Sequence, residues 1–169
     1  GAQKMLEELK QFARETPFDF PELIPAAQRL RAFGFEAEHV IPILRAVGDA
    51  TAALGTGTEG INRIVYALGQ VKAAGLLRGS EARQLQEALI PAYELLATAM
   101  GKTQREVREL SEKGLLPASQ AIPILLQGLE KYEGGMKALT HTWTGALSNI
   151  RDAARFAFVD PQSGDLIGA

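Results

Sequence analysis

Apolar residues recur every three or four positions along most of this chain, the spacing that places them on one face of an α-helix. Met5, Leu6, Leu9 and Phe12 form the first group with this spacing. Glycines and prolines interrupt the pattern, and a helix is expected to end or begin at each interruption. The predicted helices cover residues 3–15, 21–33 or 25–33, 36–54, 59–74, 80–100 with a break at Pro91, 103–113, 117–133 and 136–158.

Alternation of apolar and polar residues, the pattern of a half-buried strand, is not sustained in any window of the sequence. We therefore predict an all-α fold of about seven to eight helices. We expect a single domain over residues 3–160, with helical pairs in 3–133 and a long final helix at 136–158. Residues 1–2 resemble an expression scar, and residues 161–169 are expected to form a C-terminal tail.

One short phrase, a glycine followed by large apolar residues, recurs between predicted helices. It appears as Gly34-Phe35, Gly75-Leu76-Leu77 and Gly114-Leu115-Leu116, at intervals of about 40 residues. Each glycine fits the position after a helix end where φ is positive, and the next residue fits the apolar contact of such an ending. The sequence leaves two architectures open, a compact bundle and a short superhelix of helical hairpins with a roughly 40-residue repeat.

A second phrase places isoleucine directly before proline, at Pro25, Pro42, Pro91 and Pro123. A proline inside a helix costs about 3 kcal/mol, because a hydrogen bond is lost and the ring clashes with the preceding turn. Each of these prolines is therefore expected either to begin a helix or to kink one.

The predicted final helix carries an apolar stripe with steps of three and four residues. The stripe consists of Met136, Leu139, Trp143, Leu147, Ile150, Ala154 and Phe158. Such a stripe is close to the 3.5-residue repeat with which one helix packs against another. The partner is either the preceding helices of the same domain or, by self-association, a second copy of the chain.

The composition is that of an ordinary globular domain, with 46% apolar residues, 22% charged residues and a formal net charge of −2. The absence of cysteine from the sequence excludes disulfides, a thiolate nucleophile and cysteine-bound metals. The two histidines, His39 and His141, are too far apart in the sequence to form a local metal motif. The longest segment without charge, residues 114–129, is shorter than the ~20 apolar residues of a spanning helix, so no membrane segment is expected.

The segment from Gly55 to Gly60 matches the G-x-G-x-x-G pattern of dinucleotide sites. That site requires a preceding strand, whereas the residues before Gly55 continue a predicted helix. We therefore interpret the segment as a turn between helices, with Gly55 ending the first one. Thr56 and Glu59 are expected to form a capping box at the start of the next.

Gly101-Lys102-Thr103 resembles the end of a phosphate-binding loop, but the glycine required five positions earlier is replaced by Leu96. We predict a turn in which Thr103 and Glu106 form a capping box. The basic residues of this helix alternate with glutamates, and the sequence pI is about 5.8, so no nucleic-acid partner is expected. We find no candidate catalytic, cofactor-binding or metal-binding residues in the sequence, and we therefore do not expect an enzyme.

Short segments between residues 30 and 155 share their order and spacing with a known protein family. They are Ile64–Leu77, Gly79–Leu85, Ile90–Ala92, Leu95–Ala97, Met100–Thr103, Glu106-Val107, Gly114, Met136, Thr144-Gly145, Ser148-Asn149 and Asp152. In these segments the chain resembles the N-terminal domain of the tail tape measure proteins of long-tailed bacteriophages. It departs from that family at Leu89-Ile90, where a Gly-Val-like pair is expected before Pro91.

This resemblance implies a structural protein that helps govern tail assembly and tail length through protein–protein contacts, and no catalytic activity. The implied partners are other tail proteins, namely tail tube, assembly chaperone or baseplate components. The implied location is the virion tail, after assembly in the cytoplasm of the bacterial host. The residues alone also leave open a helical adaptor or a nucleic-acid-binding module without catalysis.

Overall fold

The computed structural model describes residues 1–139, and this part of the chain is a bundle of α-helices. The helices are α1 (Ala2–Glu15), α2 (Phe20–Ala32), α3 (Ala37–Leu54), α4 (Gly57–Ala74), α5 (Gly79–Glu87), α6 (Ala92–Met100), α7 (Gln104–Glu112) and α8 (Ala118–Gly128). A 3₁₀ turn follows at Leu129–Tyr132, and residues 135–139 are again helical. The prediction of an all-α fold is confirmed.

The helix boundaries lie within one residue of the predicted ones except at three places. α4 begins at Gly57, two residues earlier than predicted. The predicted segment 80–100 forms two separate helices, α5 and α6, with residues 88–91 between them. The predicted segment 117–133 is helical only to Gly128 and continues as the 3₁₀ turn.

α4 lies at the centre of the bundle and contacts α2, α3, α5 and α8. Its Gly69 leaves room for the ring of Phe33, because a Cβ at position 69 would lie 2.0 Å from Cδ2 of that ring. All eight helices contribute side chains to one apolar core. The described residues therefore form a compact bundle, and a superhelical repeat of roughly 40 residues stays a prediction.

The recurring glycine turns have the backbone conformation that the sequence predicts. The φ angle is +108° at Gly34, +78° at Gly75 and +70° at Gly114. At the end of α2 the amide of Phe35 donates to the carbonyl of Leu30 at 3.0 Å, and an equivalent six-to-one bond closes α7. α2 and α7 thus end in Schellman motifs, in which the glycine position requires a left-handed backbone.

The four Ile-Pro phrases occupy two kinds of position. Pro25, Pro42 and Pro123 lie inside α2, α3 and α8, and each is the sixth residue of its helix. Pro91 is instead the residue immediately before α6. The same phrase therefore sits within a helix in three cases and precedes one in the fourth.

The predicted final helix at 136–158 lies outside the described residues except for residues 136–139, which are helical. The predicted tail at 161–169 also lies outside them. The interpretation of residues 1–2 as an expression scar and the domain boundary at residue 160 stay predictions.

Candidate interaction surfaces

The Gly55–Gly60 segment is a turn between α3 and α4, as predicted. Gly55 has a φ angle of +73°, and the amide of Thr56 donates to the carbonyl of Thr51 at 3.0 Å, which closes α3. The predicted capping box of Thr56 and Glu59 is wrong. Thr56 has φ −95° and ψ −14°, whereas a capping side chain needs an extended backbone to reach the next turn. Glu59 instead pairs with Arg63 at 2.8 Å.

The second predicted capping box, at the start of α7, is confirmed. The Oγ1 atom of Thr103 accepts the amide of Glu106 at 3.1 Å, and the amide of Thr103 donates to Oε1 of Glu106 at 3.0 Å. The Glu106 carboxylate accepts hydrogen bonds from the Thr103 backbone amide and, second in effect, from the Thr103 side chain, and these lower the pKa of Glu106. The first-turn amides that a phosphate would need are therefore partly occupied by the protein's own side chains.

A buried carboxylate lies at the start of α5. Glu81 is 1% exposed, and its Oε2 accepts from Nε of Arg78 at 3.2 Å and from Oγ of Ser80 at 2.8 Å. Burial raises the pKa of Glu81, but these hydrogen bonds, its own amide and the guanidinium charge outweigh burial and lower the pKa overall. Glu81 therefore stays ionised and paired, which suits a structural role and not that of an acid catalyst.

A groove with a volume of about 850 Å³ runs between α3 and α8. Its floor is apolar and is lined by Pro42, Ile43, Ala46, Ile122, Pro123 and Leu126. His39, Lys72 and Glu130 lie at its rim, and Nζ of Lys72 lies 5.7 Å from the centre of the Phe35 ring. The sequence did not predict this groove, because its two walls are about 80 residues apart in the chain.

Three exposed side chains meet at the start of α3. Glu36, Glu38 and His39 each offer a ligand atom, and these atoms lie within 4.8 Å of one another. Of these three residues, only His39 stands out in the sequence as a candidate ligand. Solvated acidic groups of this kind are common on protein surfaces, so the cluster by itself does not define a metal site.

The described residues thus form an all-α domain with one apolar core, a buried carboxylate paired with an arginine, and an apolar surface groove. The chain belongs to the tape measure protein family, which matches residues 1–158. Among residues 1–139, no helix combines the length and apolar character needed to cross a membrane.

Three curated relatives are similar to the chain, and two of them are named as probable tape measure proteins. The chain is 29% identical over 147 residues to the Mu-like prophage FluMu protein gp42 of Haemophilus influenzae, covering 85% of this chain and 23% of the relative. It is 22% identical over 149 residues to the probable tape measure protein of Escherichia phage Mu, covering 88% and 22%. It is 33% identical over 90 residues to the probable tape measure protein of Salmonella phage Felix O1, covering 51% and 12%. The chain thus spans less than a quarter of the length of these relatives, and no solved structure matches it.

Proposed function

We propose that this chain is a folded module of a phage tape measure protein that acts in tail assembly through protein–protein contacts. Family membership over residues 1–158 supports a structural role in the tail. The observation that carries the proposal is the bundle itself, in which α1 to α8 fold back on one another around one core. A structural role of this kind requires no catalytic group.

The fold argues that this module adds little to the length that a tape measure protein would span. A continuous helix rises ~1.5 Å per residue, so residues 1–139 as a rod would extend about 210 Å. A compact domain of that size has a radius of gyration near ~14 Å. We infer that the measuring length lies elsewhere in the full protein and that this module supplies attachment.

The proposed partners are other tail proteins, namely tail tube, assembly chaperone or baseplate components. A nucleic-acid partner is disfavoured by the acidic sequence pI of about 5.8, since domains that bind DNA usually have a basic surface. The proposed site of action is the virion tail, with assembly in the host cytoplasm. Self-association through residues 136–158 stays a prediction, which light scattering on the whole chain tests.

Tail length in phage particles tests this function directly. Leu68→Asp places a charge in the core of α4 without changing the residue count, and Ala99→Asp places the same charge on the exposed face of α6. We expect Leu68→Asp, and deletion of residues 79–100, to abolish tails, while Ala99→Asp gives tails of normal length by electron microscopy.

Two results in phage particles would contradict this function. If deletion of residues 79–100 gave viable tails shortened by about 33 Å, the rise of the deleted residues as helix, the segment would be part of the ruler. Normal tails with Leu68→Asp would also contradict the proposal, because an unfolded module could not make the proposed contacts with other tail proteins.

A further inference from the structure

The groove between α3 and α8 continues along α3 into a second contact site. Pro42 and Ala46 lie on the groove side of α3, and Asp49 and Ala53 follow at helical steps of three and four on the same face. Asp49 is 8% exposed, although it carries a carboxyl group and lies within a helix. This face of α3 is therefore divided between an open apolar groove and a buried carboxylate one turn away.

Asp49 holds the start of the next helical segment. Its Oδ1 accepts the amide of Met136 at 3.0 Å, across 87 positions of sequence. Gly135 lies so close that a Cβ there would be 2.2 Å from the carbonyl oxygen of Asp49, and Met136 fills the space beside Gly48. We call Gly48, Asp49, Gly135 and Met136 the seat. The seat fixes the chain on the same helix face that forms one wall of the groove.

The chain that leaves the seat carries the apolar stripe. Met136 is 3% exposed and the next stripe residue, Leu139, is 39% exposed, so the stripe begins in the core and is partly exposed by Leu139. Trp143, Leu147 and Ile150 follow with steps of four and three, the spacing of a helix that anchors in an apolar groove. As a helix, residues 136–150 would extend about 21 Å, while α3 from Asp49 back to His39 extends about 15 Å. The stripe is long enough to cover the groove.

We propose that the apolar stripe from Leu139 to Ile150 of this same chain occupies the groove between α3 and α8. The seat tethers the stripe close to the groove, so the effective concentration of the stripe at the groove is in the millimolar range. A separate molecule of equal affinity would need a higher concentration to displace the stripe. The floor of the groove is apolar, and its polar groups lie at the rim, so it lacks the convergent polar groups of a small-molecule site. The family match, which extends to residue 158, is consistent with the stripe being part of this domain.

The single tryptophan of the chain, Trp143, lies in the stripe and reports its environment without labelling. The emission wavelength of Trp143 and its quenching by acrylamide are measured in the full chain and in two variants. Ala46→Glu changes the α3 wall of the groove, and Ser119→Glu changes its exposed rim on α8. Ala99→Glu, on the exposed face of α6, is the matched control. Light scattering is recorded on every sample to give the oligomeric state, and circular dichroism checks that each variant is folded.

We expect a monomer whose Trp143 emission is blue-shifted and protected from acrylamide. Ala46→Glu and Ser119→Glu should shift the emission to the red and raise the quenching constant several-fold, and Ala99→Glu should change neither. If Ala46→Glu unfolds, Ser119→Glu decides the matter, because residue 119 is exposed.

Two outcomes would overturn the proposal. Quenching of Trp143 in the unaltered chain as fast as in free tryptophan would mean that the stripe does not occupy the groove. Protection found only in dimers would mean that a second copy supplies the stripe. The experiment involves no phage particle, so either outcome leaves the proposed role in tail assembly untouched.

Discussion

The backbone amide of Leu77 donates to the carbonyl of Leu116 at 2.8 Å, and this bond joins two turns that are similar in sequence. The amide of Ala118 completes the pair by donating to the carbonyl of Gly75 at 2.9 Å. Oγ of Ser111 donates to the carbonyl of Leu77 at 3.0 Å in the same buried place. The recurrence of Gly-Leu-Leu thus marks two segments that meet in space and tie the α4–α5 connection to the α7–α8 connection.

The first prediction concerns the left-handed glycine at the second of these turns. A side chain at Gly114 would meet no atom within 4 Å, so the cost of Gly114→Ala comes from its φ of +70° and not from crowding. We expect a loss of about 1–2 kcal/mol in the free energy of unfolding. Urea denaturation measures it.

Gly79→Ala is the matched control for that variant. Gly79 is the first residue of α5, has no positive φ, and its nearest neighbour to an added Cβ is Oη of Tyr93 at 3.8 Å. The control should be neutral or slightly stabilising. Equal costs for the two variants would show that backbone strain is not the cause.

The second prediction concerns Leu89, which has a φ of +69° and is 54% exposed. The amide of Ile90 donates to the carbonyl of Leu85 at 2.8 Å, so Leu89 occupies the position of a Schellman ending that glycine holds elsewhere in this chain. Leu89→Gly should therefore raise stability by up to about 1 kcal/mol, since the left-handed strain exceeds the entropy cost of glycine.

Leu115→Gly gives the comparison, because Leu115 is similarly exposed, at 58%, but has no positive φ. That variant should lower the melting temperature while Leu89→Gly raises it. A fall of similar size in both would mean that the apolar contact of Leu89 outweighs its strain.

The backbone conformation of a turn residue could be predicted from the sequence where only one structural requirement acts on that residue. Gly34 and Gly114 had to be left-handed because they follow helices and precede buried or apolar residues. The same Thr-x-x-Glu pattern gave a correct capping box at Thr103 and a wrong one at Thr56. Thr56 also closes α3, because its amide donates to the carbonyl of Thr51, and its backbone is near-helical and not extended.

The groove and the seat could not be predicted, because both depend on which helices meet. The contact between Asp49 and Met136 joins residues 87 positions apart, and no local pattern marks Asp49 as different from an exposed carboxylate. Periodicity identifies which residues of a helix are buried, but not which other helix buries them. The sequence shows that Leu89-Ile90 departs from the Gly-Val-like pair of the family. Its consequence, a leucine with a positive φ angle, is seen only in the backbone of the structure.

The third prediction concerns the close approach of Phe33 to α4. The Phe33 ring also packs edge-on against Tyr66, with 5.9 Å between ring centres, so it has little room to move away from Gly69. Gly69→Ala should therefore cost roughly 1–3 kcal/mol through overpacking. Combining it with Phe33→Ala should add little to the cost of Phe33→Ala alone. Additive losses in denaturant titrations would disprove the contact as the cause.

The last prediction concerns pH. The folded-state pKa of Glu81 is lowered, so its contribution to stability is present above the unfolded pKa of about 4.3 and is lost as pH falls through the lower folded value. Glu81→Gln keeps the shape but removes the charge that Arg78 pairs with, and should cost about 1–3 kcal/mol at pH 7.

The difference in unfolding free energy between the unaltered chain and Glu81→Gln should shrink as pH falls below the unfolded value, because the unaltered side chain then takes up a proton and loses its charge pairing. Urea titrations from pH 7 to pH 3 measure this difference directly. Glu87→Gln, on an exposed position of the same helix, should show a small difference at every pH. A Glu81→Gln difference that stayed constant across the acid range would mean that lost packing, and not the ionised pair with Arg78, accounts for the cost.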